Sequence, residues 1–166
     1  MTAPSLFERA RRVRLLVLDV DGVLTDGRLY FGPDGEALKA FHVRDGAGIV
    51  AALGAGIAVA IISGRASAAV SRRAAELGIR HVHQGAADKS AVLAGLQREL
   101  GIGVEETACV GDDTPDLPML ARAGLAVAVS DAHPALAAAV HWTTQAAGGR
   151  GAVREVCDLL VTARGS

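Results

Sequence analysis

Short apolar runs alternate with longer stretches of helical composition along most of the chain. The runs show little polar alternation, which is typical of strands covered on both faces, as in a parallel sheet. The segments between them are rich in alanine, leucine and arginine, and Gly78 and Gly101 stand where helices are expected to end. The predicted strands are residues 15–18, 57–62, 81–83, 107–110 and 125–129. The predicted helices are residues 45–53, 66–77, 88–100, 115–123 and 151–161.

This alternation predicts the α/β class, with one doubly wound, Rossmann-like domain and a parallel sheet over residues 1–166. In such folds, ligands bind at the carboxyl ends of the strands. The last part, about residues 146–166, is expected to form a C-terminal arm. Its glycine-rich stretch at residues 148–151 allows a mobile arm that brings Arg150 and Arg154 to an anion. A C-terminal helix docked on the sheet is equally compatible with the sequence.

Residues 27–42 interrupt the alternation and predict an inserted β-hairpin. Extended stretches flank the sequence Gly-Pro-Asp-Gly at residues 32–35, which is typical of a turn. The insertion is too short for a large cap domain. It carries Tyr30, Phe31 and Phe41, and a lone hairpin with such apolar side chains is marginal in water. We therefore expect self-association through the hairpin, with packing of the aromatics on their own domain as the alternative.

Composition excludes several functional classes. Hydrophobic residues make up 51% of the chain, yet only five residues are aromatic and the net charge is −1, which argues against a nucleic-acid partner. No apolar run is long enough for a membrane span, and residues 1–14 lack the apolar core of a signal peptide. Cys109 and Cys157 lack the spacing of a metal site or a disulfide framework. We therefore expect free thiols, no membrane partner and a cytoplasmic location.

The first polar cluster, Asp19-Val-Asp21-Gly, directly follows the strand predicted at residues 15–18. Paired carboxylates at a strand end suit a divalent cation, nucleophilic attack or acid–base exchange. Solvated acids that cap a strand are one alternative. A calcium loop is another, but Thr25 and Tyr30 stand where it needs an oxygen ligand and a closing glutamate.

Two further clusters supply groups that bind anions. Ser63 and Gly64 follow the second strong strand, where a hydroxyl and free backbone N–H groups at a helix start can hold a phosphate; an ordinary helix cap is the alternative. Lys89 begins a predicted helix, where a positive charge is unfavourable by about 0.3–1 kcal/mol. It is one of two lysines, with Lys39, in a chain of fifteen arginines. A compact ammonium suits a point contact with phosphate, and a solvated lysine is the alternative.

A fourth cluster, the second acidic one, with Asp112, Asp113 and Asp116, follows the strand predicted at residues 107–110. Three acids in five residues repel one another unless a cation or a lysine lies among them; complementation of a helix dipole is the alternative. All the clusters follow predicted strands and should meet at one sheet edge. Together they fit phosphoryl transfer, in which a metal neutralises charge and a carboxylate attacks.

In chain order, these clusters resemble the four motifs of the haloacid dehalogenase (HAD) superfamily of phosphatases. The resemblance implies that Asp19 is the nucleophile that forms an aspartyl-phosphate. It implies that Asp21 protonates the leaving alcohol and then activates water. Magnesium, Mg²⁺, would be held by Asp19, the backbone carbonyl of Asp21, and Asp112. The other implied roles are phosphate binding by Ser63, Gly64 and Lys89, and support of the metal ligands or of Lys89 by Asp113 and Asp116.

Nearly the whole chain is similar to a capless subgroup of this superfamily that acts on an acidic sugar phosphate. The similarity is carried by residues 38–41, 43–46, 63–65, 131–134 and 148–155. It implies hydrolysis of the phosphate monoester of 3-deoxy-D-manno-octulosonate 8-phosphate, a precursor step of lipopolysaccharide synthesis. It also implies a homotetramer whose hairpins pack together and whose neighbouring subunits roof each active site. The residues expected to face substrate are Asp21, His42, Val43, Arg44, Asp45, Gly46, Arg65, Arg73 and Lys89.

Several alternatives remain open from the sequence. Members of the subgroup tend to have Asn at position 42 and Arg at position 50, where this chain has His42 and Val50. These departures leave the catalytic roles unchanged but affect the exact substrate contacts. A phosphatase for a nine-carbon sialic-type sugar acid 9-phosphate is the nearest rival function. A receiver-type phosphoacceptor domain is disfavoured by the order of its acids and lysine. Arg65 and Arg73 are eight positions apart, about two helical turns, and either pair with a substrate carboxylate or form a solvated face.

Overall fold

The structure is a computed structural model that describes residues 3–165, so residues 1, 2 and 166 of the predicted domain lie outside it. No helix within residues 3–165 is long and apolar enough to cross a membrane. The strands are β1 (Leu15–Leu18), β2 (Tyr30–Gly32), β3 (Gly35–Leu38), β4 (Ala58–Ile62), β5 (His81–His83), β6 (Thr107–Gly111), β7 (Leu125–Ala128) and β8 (Trp142–Thr143). The α-helices are α1 (Leu6–Arg12), α2 (Val43–Gly54), α3 (Ala68–Leu77), α4 (Lys89–Leu100), α5 (Leu117–Leu120) and α6 (Ala152–Arg164).

Six strands form one parallel sheet in the order β5-β4-β1-β6-β7-β8. Alternate residues of β1 enter two separate cores, with Leu16 and Leu18 on one face and Leu15 and Val17 on the other. Helices α2, α3 and α6 supply the first core, and α4 and α5 supply the second. Helices on both faces of a parallel sheet confirm the predicted doubly wound α/β fold.

The sequence missed α1 and β8 and misplaced the starts of two helices. Helix α2 begins at Val43, two residues early, because His42 accepts the backbone N–H of Arg44 on Nδ1 (3.1 Å) and caps it. Helix α3 begins at Ala68, two residues late, so Arg65 precedes the helix and cannot share its face with Arg73. The helix predicted at residues 115–123 is instead a 3-10 turn followed by the short α5.

The hairpin is present, but it is shorter than residues 27–42. Strands β2 and β3 pair antiparallel as a separate two-stranded sheet. The turn closes at Gly35, whose φ of 109° lies in the region that favours glycine. Phe41 packs against the main core, whereas Phe31 is 66% exposed and Leu38 is 52% exposed. Part of the hairpin's apolar surface is therefore uncovered in a single chain.

The C-terminal arm is a docked helix. Helix α6 packs on α2 and buries Val153, Val156 and Leu160 in the core. Just before it, Gly148 and Gly149 pass so close to the loop after β1 that the N–H of Gly149 donates to the carbonyl of Val23 (2.9 Å). The glycines expected to give mobility instead permit a close backbone contact.

We expect Gly148→Ala to destabilise the protein by about 1–3 kcal/mol, because overpacking at a rigid contact forces the backbone apart. A Cβ atom at this position would lie 1.7 Å from the carbonyl oxygen of Gly22. Urea unfolding measures the change. Gly54→Ala is the matched control, since its Cβ would meet nothing within 4 Å. Equal stability of the two variants would contradict the close contact.

Candidate active site

Three carboxylates meet at the carboxyl edge of the sheet. Asp19 directly follows β1 and Asp112 directly follows β6, and these strands are neighbours. Asp116 lies in the 3-10 turn after β6. One oxygen from each of the three carboxylates lies within 4.8 Å of the others. They line a cleft of about 320 Å³. The sequence predicted that these acids would meet at the ends of neighbouring strands.

A larger groove lies at the opposite edge of the sheet. Its volume is about 590 Å³, and its lining includes the first residues of β4 and β5. Arg80 and His81 are the ionisable residues that line it. The chemistry therefore places the site in the smaller cleft, where the acids converge.

Lys89 connects two of the carboxylates. Its Nζ lies 3.0 Å from Oδ1 of Asp19 and 2.6 Å from Oδ1 of Asp116. Helix α4 positions it, because Asp88 caps that helix and Lys89 is its first residue. The second oxygen of Asp116 accepts the backbone N–H of Asp112 (2.9 Å) and, more weakly, that of Asp113 (3.4 Å). Asp116 therefore fixes both the lysine and the loop after β6.

The cluster is short of positive charge, and burial and mutual repulsion raise the pKa of two of its carboxyl groups. Burial, followed by the charge of Asp116, raises the pKa of Asp19 to about 6, although Lys89 opposes the change. Burial, followed by the charges of Asp19 and Asp116, raises the pKa of Asp112 to about 8. Burial opposes the charged form of Lys89, but the two neighbouring carboxylates outweigh it and raise the pKa of Lys89. One ammonium does not balance three acids, so the site favours a further cation.

The donor set fits magnesium. Asp19 and Asp112 offer hard carboxylate oxygens, which Mg²⁺ prefers. Asp116 faces Lys89 and two backbone donors, so it is the less available member of the three. Gly22, with φ of 86°, permits the approach of Asp112, since a Cβ there would lie 1.9 Å from Oδ2 of Asp112. A side chain at position 22 would displace the carboxylate.

The loop that carries Asp21 is held by Thr25, a residue that the sequence analysis did not select. The buried Thr25 hydroxyl oxygen accepts the N–H groups of Gly22 and Gly27, both at 3.2 Å. The carbonyl of Val20 accepts three consecutive N–H groups from residues 23–25. A hydroxyl three to five residues after paired acids is the signal that could have found Thr25.

Ser63, Gly64 and Arg65 line the same cleft. Ser63 is buried at the end of β4, and its hydroxyl oxygen accepts the N–H of Arg65 at 3.4 Å. It does not open helix α3, since Ser67 occupies the N-cap position. The expected helix-start anion site at Ser63 is therefore a turn that presents a hydroxyl and backbone to the cleft.

Asp21 pairs with Lys39, which follows the hairpin and was not predicted as a site residue, and with Arg65 from the loop after β4, which was expected to face substrate. Nζ of Lys39 lies 2.5 Å from Oδ1 of Asp21 and 3.2 Å from Oε2 of Glu36. Nε of Arg65 lies 3.9 Å from Oδ2 of Asp21, and its guanidinium also reaches Glu36 at 3.4 Å. The rarity of lysine in the chain is the sequence signal that pointed to Lys39.

The segment at residues 42–46 does not enter this cleft within one chain. Val43 is 78% exposed and Arg44 is exposed at the start of α2. Asp45 is buried, and its Oδ1 accepts the N–H of Arg154 at 2.9 Å. Gly46 lies against Arg73, where an added Cβ would be 2.3 Å from the guanidinium. Their contact with substrate stays a prediction.

Asp113 takes a local role at this edge. It is exposed, it caps the 3-10 turn after β6, and its Oδ1 accepts the N–H of Thr114 at 2.7 Å. Asp113 and Asp116 were both expected to support the metal ligands or to orient Lys89. In the structure, Asp116 is the one that accepts a hydrogen bond from Lys89.

The fold and this site define a phosphohydrolase of the haloacid dehalogenase type. A profile of haloacid dehalogenase-like hydrolases matches residues 81–155. The chain is 52% identical to the 3-deoxy-D-manno-octulosonate 8-phosphate phosphatase of Salmonella typhimurium over 98% of this chain and 87% of that one. Within the haloacid dehalogenase-like hydrolases, the chain belongs to the family of 3-deoxy-D-manno-octulosonate 8-phosphate phosphatases.

Solved structures agree. The enzyme of that name from Yersinia pestis matches with a TM-score of 0.94 and 49% identity, over 96% of this chain and 86% of that chain. The Moraxella catarrhalis phosphatase, solved in complex with magnesium, phosphate and a KDO molecule, matches with a TM-score of 0.93 and 43% identity. That match covers 96% of this chain and 91% of the other.

We expect Mg²⁺ binding to release protons near neutral pH. The raised pKa values of Asp112, about 8, and Asp19, about 6, mean that the metal-free protein holds protons that a cation must displace. Affinity should therefore rise as the pH increases from 6 to 8. Isothermal titration in buffers of different ionisation enthalpy counts the protons. An affinity that is flat across this range, with no proton release, would contradict the assignment of these ligands.

Proposed function

We propose that this chain is a phosphoric monoester hydrolase that converts 3-deoxy-D-manno-octulosonate 8-phosphate to the free sugar acid and phosphate. The observation that carries the proposal is the buried Asp19, which lies 3.0 Å from Lys89 at a carboxylate cluster suited to Mg²⁺. Relatives that are about 50% identical in sequence over nearly the full chain are named for this activity. The Moraxella structure contains magnesium, phosphate and KDO.

Asp19 is proposed as the nucleophile. It attacks phosphorus in line, and Lys89, Ser63 and Gly64 hold the phosphoryl oxygens. As the ester P–O bond breaks, Asp21 gives a proton to the leaving sugar hydroxyl. The products of this step are the free sugar acid and an aspartyl-phosphate on Asp19.

Hydrolysis of the aspartyl-phosphate completes the cycle. Asp21, now ionised, takes a proton from a water molecule as that water attacks phosphorus, and the bond to Asp19 breaks. Phosphate leaves and both carboxyl groups regain their starting states. Bound Mg²⁺, held by Asp19, Asp112 and the carbonyl of Asp21, supplies charge neutralisation at the phosphoryl oxygens.

A nine-carbon sugar acid 9-phosphate is the alternative substrate, and the comparisons do not favour it. The relatives that share about half of the sequence are named for the eight-carbon ester. A receiver-type phosphoacceptor is disfavoured because Asp21 provides a second carboxyl group. That group can activate water, so that the phosphate is released and the cycle repeats. His42 and Val50 are the positions where the residue differs from the subgroup pattern, and Val50 is 51% exposed on α2, where it lines the groove at the opposite edge of the sheet.

We also propose that the chain forms a homo-oligomer, a tetramer, through the hairpin. The exposed fractions of Phe31 (66%) and Leu38 (52%) give the hairpin an uncovered apolar surface, and Val43 beside it is 78% exposed. A neighbouring copy would cover this surface and roof the open cleft. The free, buried Cys109 and Cys157 support a reducing compartment such as the cytoplasm.

Asp19→Asn should lower kcat by at least about 10³-fold, because an amide cannot serve as the nucleophile. Phosphate release is measured with and without Mg²⁺ from the eight-carbon and nine-carbon sugar acid phosphates. Asp34→Asn, at an exposed position of the hairpin turn, is the matched control. Turnover retained by Asp19→Asn would refute covalent catalysis, and faster wild-type turnover of the nine-carbon ester would refute the assigned substrate.

Phe31→Asp should weaken self-association, since it places a charge in the apolar contact. Light scattering after size exclusion measures the mass. Val104→Asp is the control, because Val104 is similarly apolar and 39% exposed but lies outside the hairpin. If both variants keep the wild-type mass, the hairpin is not the interface; if the wild type is a monomer, the oligomer proposal fails.

A further inference from the structure

Lys39 is buried beside the proposed acid–base residue. Its side chain is only 2% exposed, although it belongs to the segment that links the hairpin to α2. Its Nζ lies 2.5 Å from Oδ1 of Asp21 and 3.2 Å from Oε2 of Glu36. A buried ammonium is costly unless it is paired, and here both of its carboxylate partners lie within hydrogen-bonding distance.

Asp21 and its three charged neighbours form a group of four side chains whose formal charges balance. Asp21 and Glu36 are acidic, and Lys39 and Arg65 are basic. Lys39 is bound to one oxygen of Asp21, whereas the side chain of Arg65 is 47% exposed and lies 3.9 Å from the other. The two oxygens of Asp21 are therefore unlike: Oδ1 is held by a buried cation, and Oδ2 faces a half-exposed side chain that lines the cleft.

We propose that Lys39 is a positioning residue that fixes Asp21 so that Oδ2 is the oxygen that exchanges the proton. The proposal rests on the proposed function, in which Asp21 protonates the leaving group. With Oδ1 bound to Lys39, the proton that passes to the leaving oxygen is carried on Oδ2. Oδ2 donates that proton as the ester bond breaks and regains one from the attacking water, so no proton is gained or lost over the cycle.

The same contact joins the hairpin to the active site. Asp21 and Lys39 are 18 positions apart, and Glu36, the second partner of Lys39, is on β3. Two short strands alone are marginal in water, and apolar packing would be enough to attach such a hairpin to the rest of the domain. A charged attachment that ends on a reacting carboxylate instead ties the hairpin's position to the orientation of Asp21.

Leaving-group dependence tests this role. Lys39→Met removes the ammonium but keeps an unbranched side chain. General acid catalysis contributes about 10²–10⁴-fold, so kcat/KM for the sugar acid phosphate should fall by about 10²-fold. With 4-nitrophenyl phosphate, whose leaving group needs no proton, the fall should be under about 5-fold. Because kcat/KM reports steps through the first irreversible one, the later hydrolysis does not blur the comparison. Equal losses on both esters would overturn the proposal.

A double-mutant cycle with Asp21→Asn provides a second readout. If Lys39 acts through Asp21, the double variant should lose no more than Asp21→Asn alone. If the loss in the double variant instead equals the product of the two single-variant losses, Lys39 acts independently of Asp21 and the positioning role is wrong. Arg28→Met is the matched control, since Arg28 is a cation of the same insertion whose side chain is 70% exposed and pairs with Asp26. It should retain the wild-type ratio of the two kcat/KM values.

Removal of Lys39 leaves Glu36 without its buried partner and could prevent folding. The variant Glu36→Gln with Lys39→Met removes both charges and should show the same leaving-group selectivity once circular dichroism confirms its fold. If neither variant folds, Lys39 is a structural residue and the proposal is wrong. If the wild type releases no phosphate from either ester, the proposed function fails, whereas an active wild type with unselective variants refutes only the role of Lys39.

Discussion

The mutual repulsion of carboxylates at one sheet edge is the constraint on which the rest of the site depends. Asp19, Asp112 and Asp116 lie within 4.8 Å of one another, partly or fully removed from water. Lys89 offsets part of this repulsion, while burial, followed by the repulsion that remains, raises the pKa of both Asp19 and Asp112. A site with this deficit of positive charge attracts a divalent cation, and the bound cation would in turn stabilise the negative charge of a phosphoryl-transfer transition state.

Close backbone contacts keep those acids in place. Gly22 leaves room for Asp112, and Gly148 and Gly149 press on the loop from the opposite side. Thr25 then binds the loop to itself through three hydrogen bonds. Each contact lies at the end of a strand or next to the docked α6, so the carboxylates of the proposed site are held by a fixed framework rather than by a free loop.

The hairpin has two roles because its faces differ. On one side, Glu36 pairs with Lys39, which in turn pairs with Asp21, and the Lys39 side chain is 2% exposed. The other side leaves Phe31 and Leu38 uncovered. An insertion too small to be a lid therefore contributes charged groups to its own site and an apolar surface to the proposed assembly.

The sequence by itself determined five of the six strands of the parallel sheet and the acids at its edge, because buried runs and the residues that follow them are local features. It placed β5 at its observed bounds, and it identified Asp19, Asp112 and Lys89 as a group. Only the tertiary structure decided which partners those groups have. The attachment of Lys39 to Asp21, the separation of Arg65 from Arg73, and the docking of α6 all depend on contacts between distant segments. Such contacts are set by packing in three dimensions, and local residue patterns do not show which distant segments will meet.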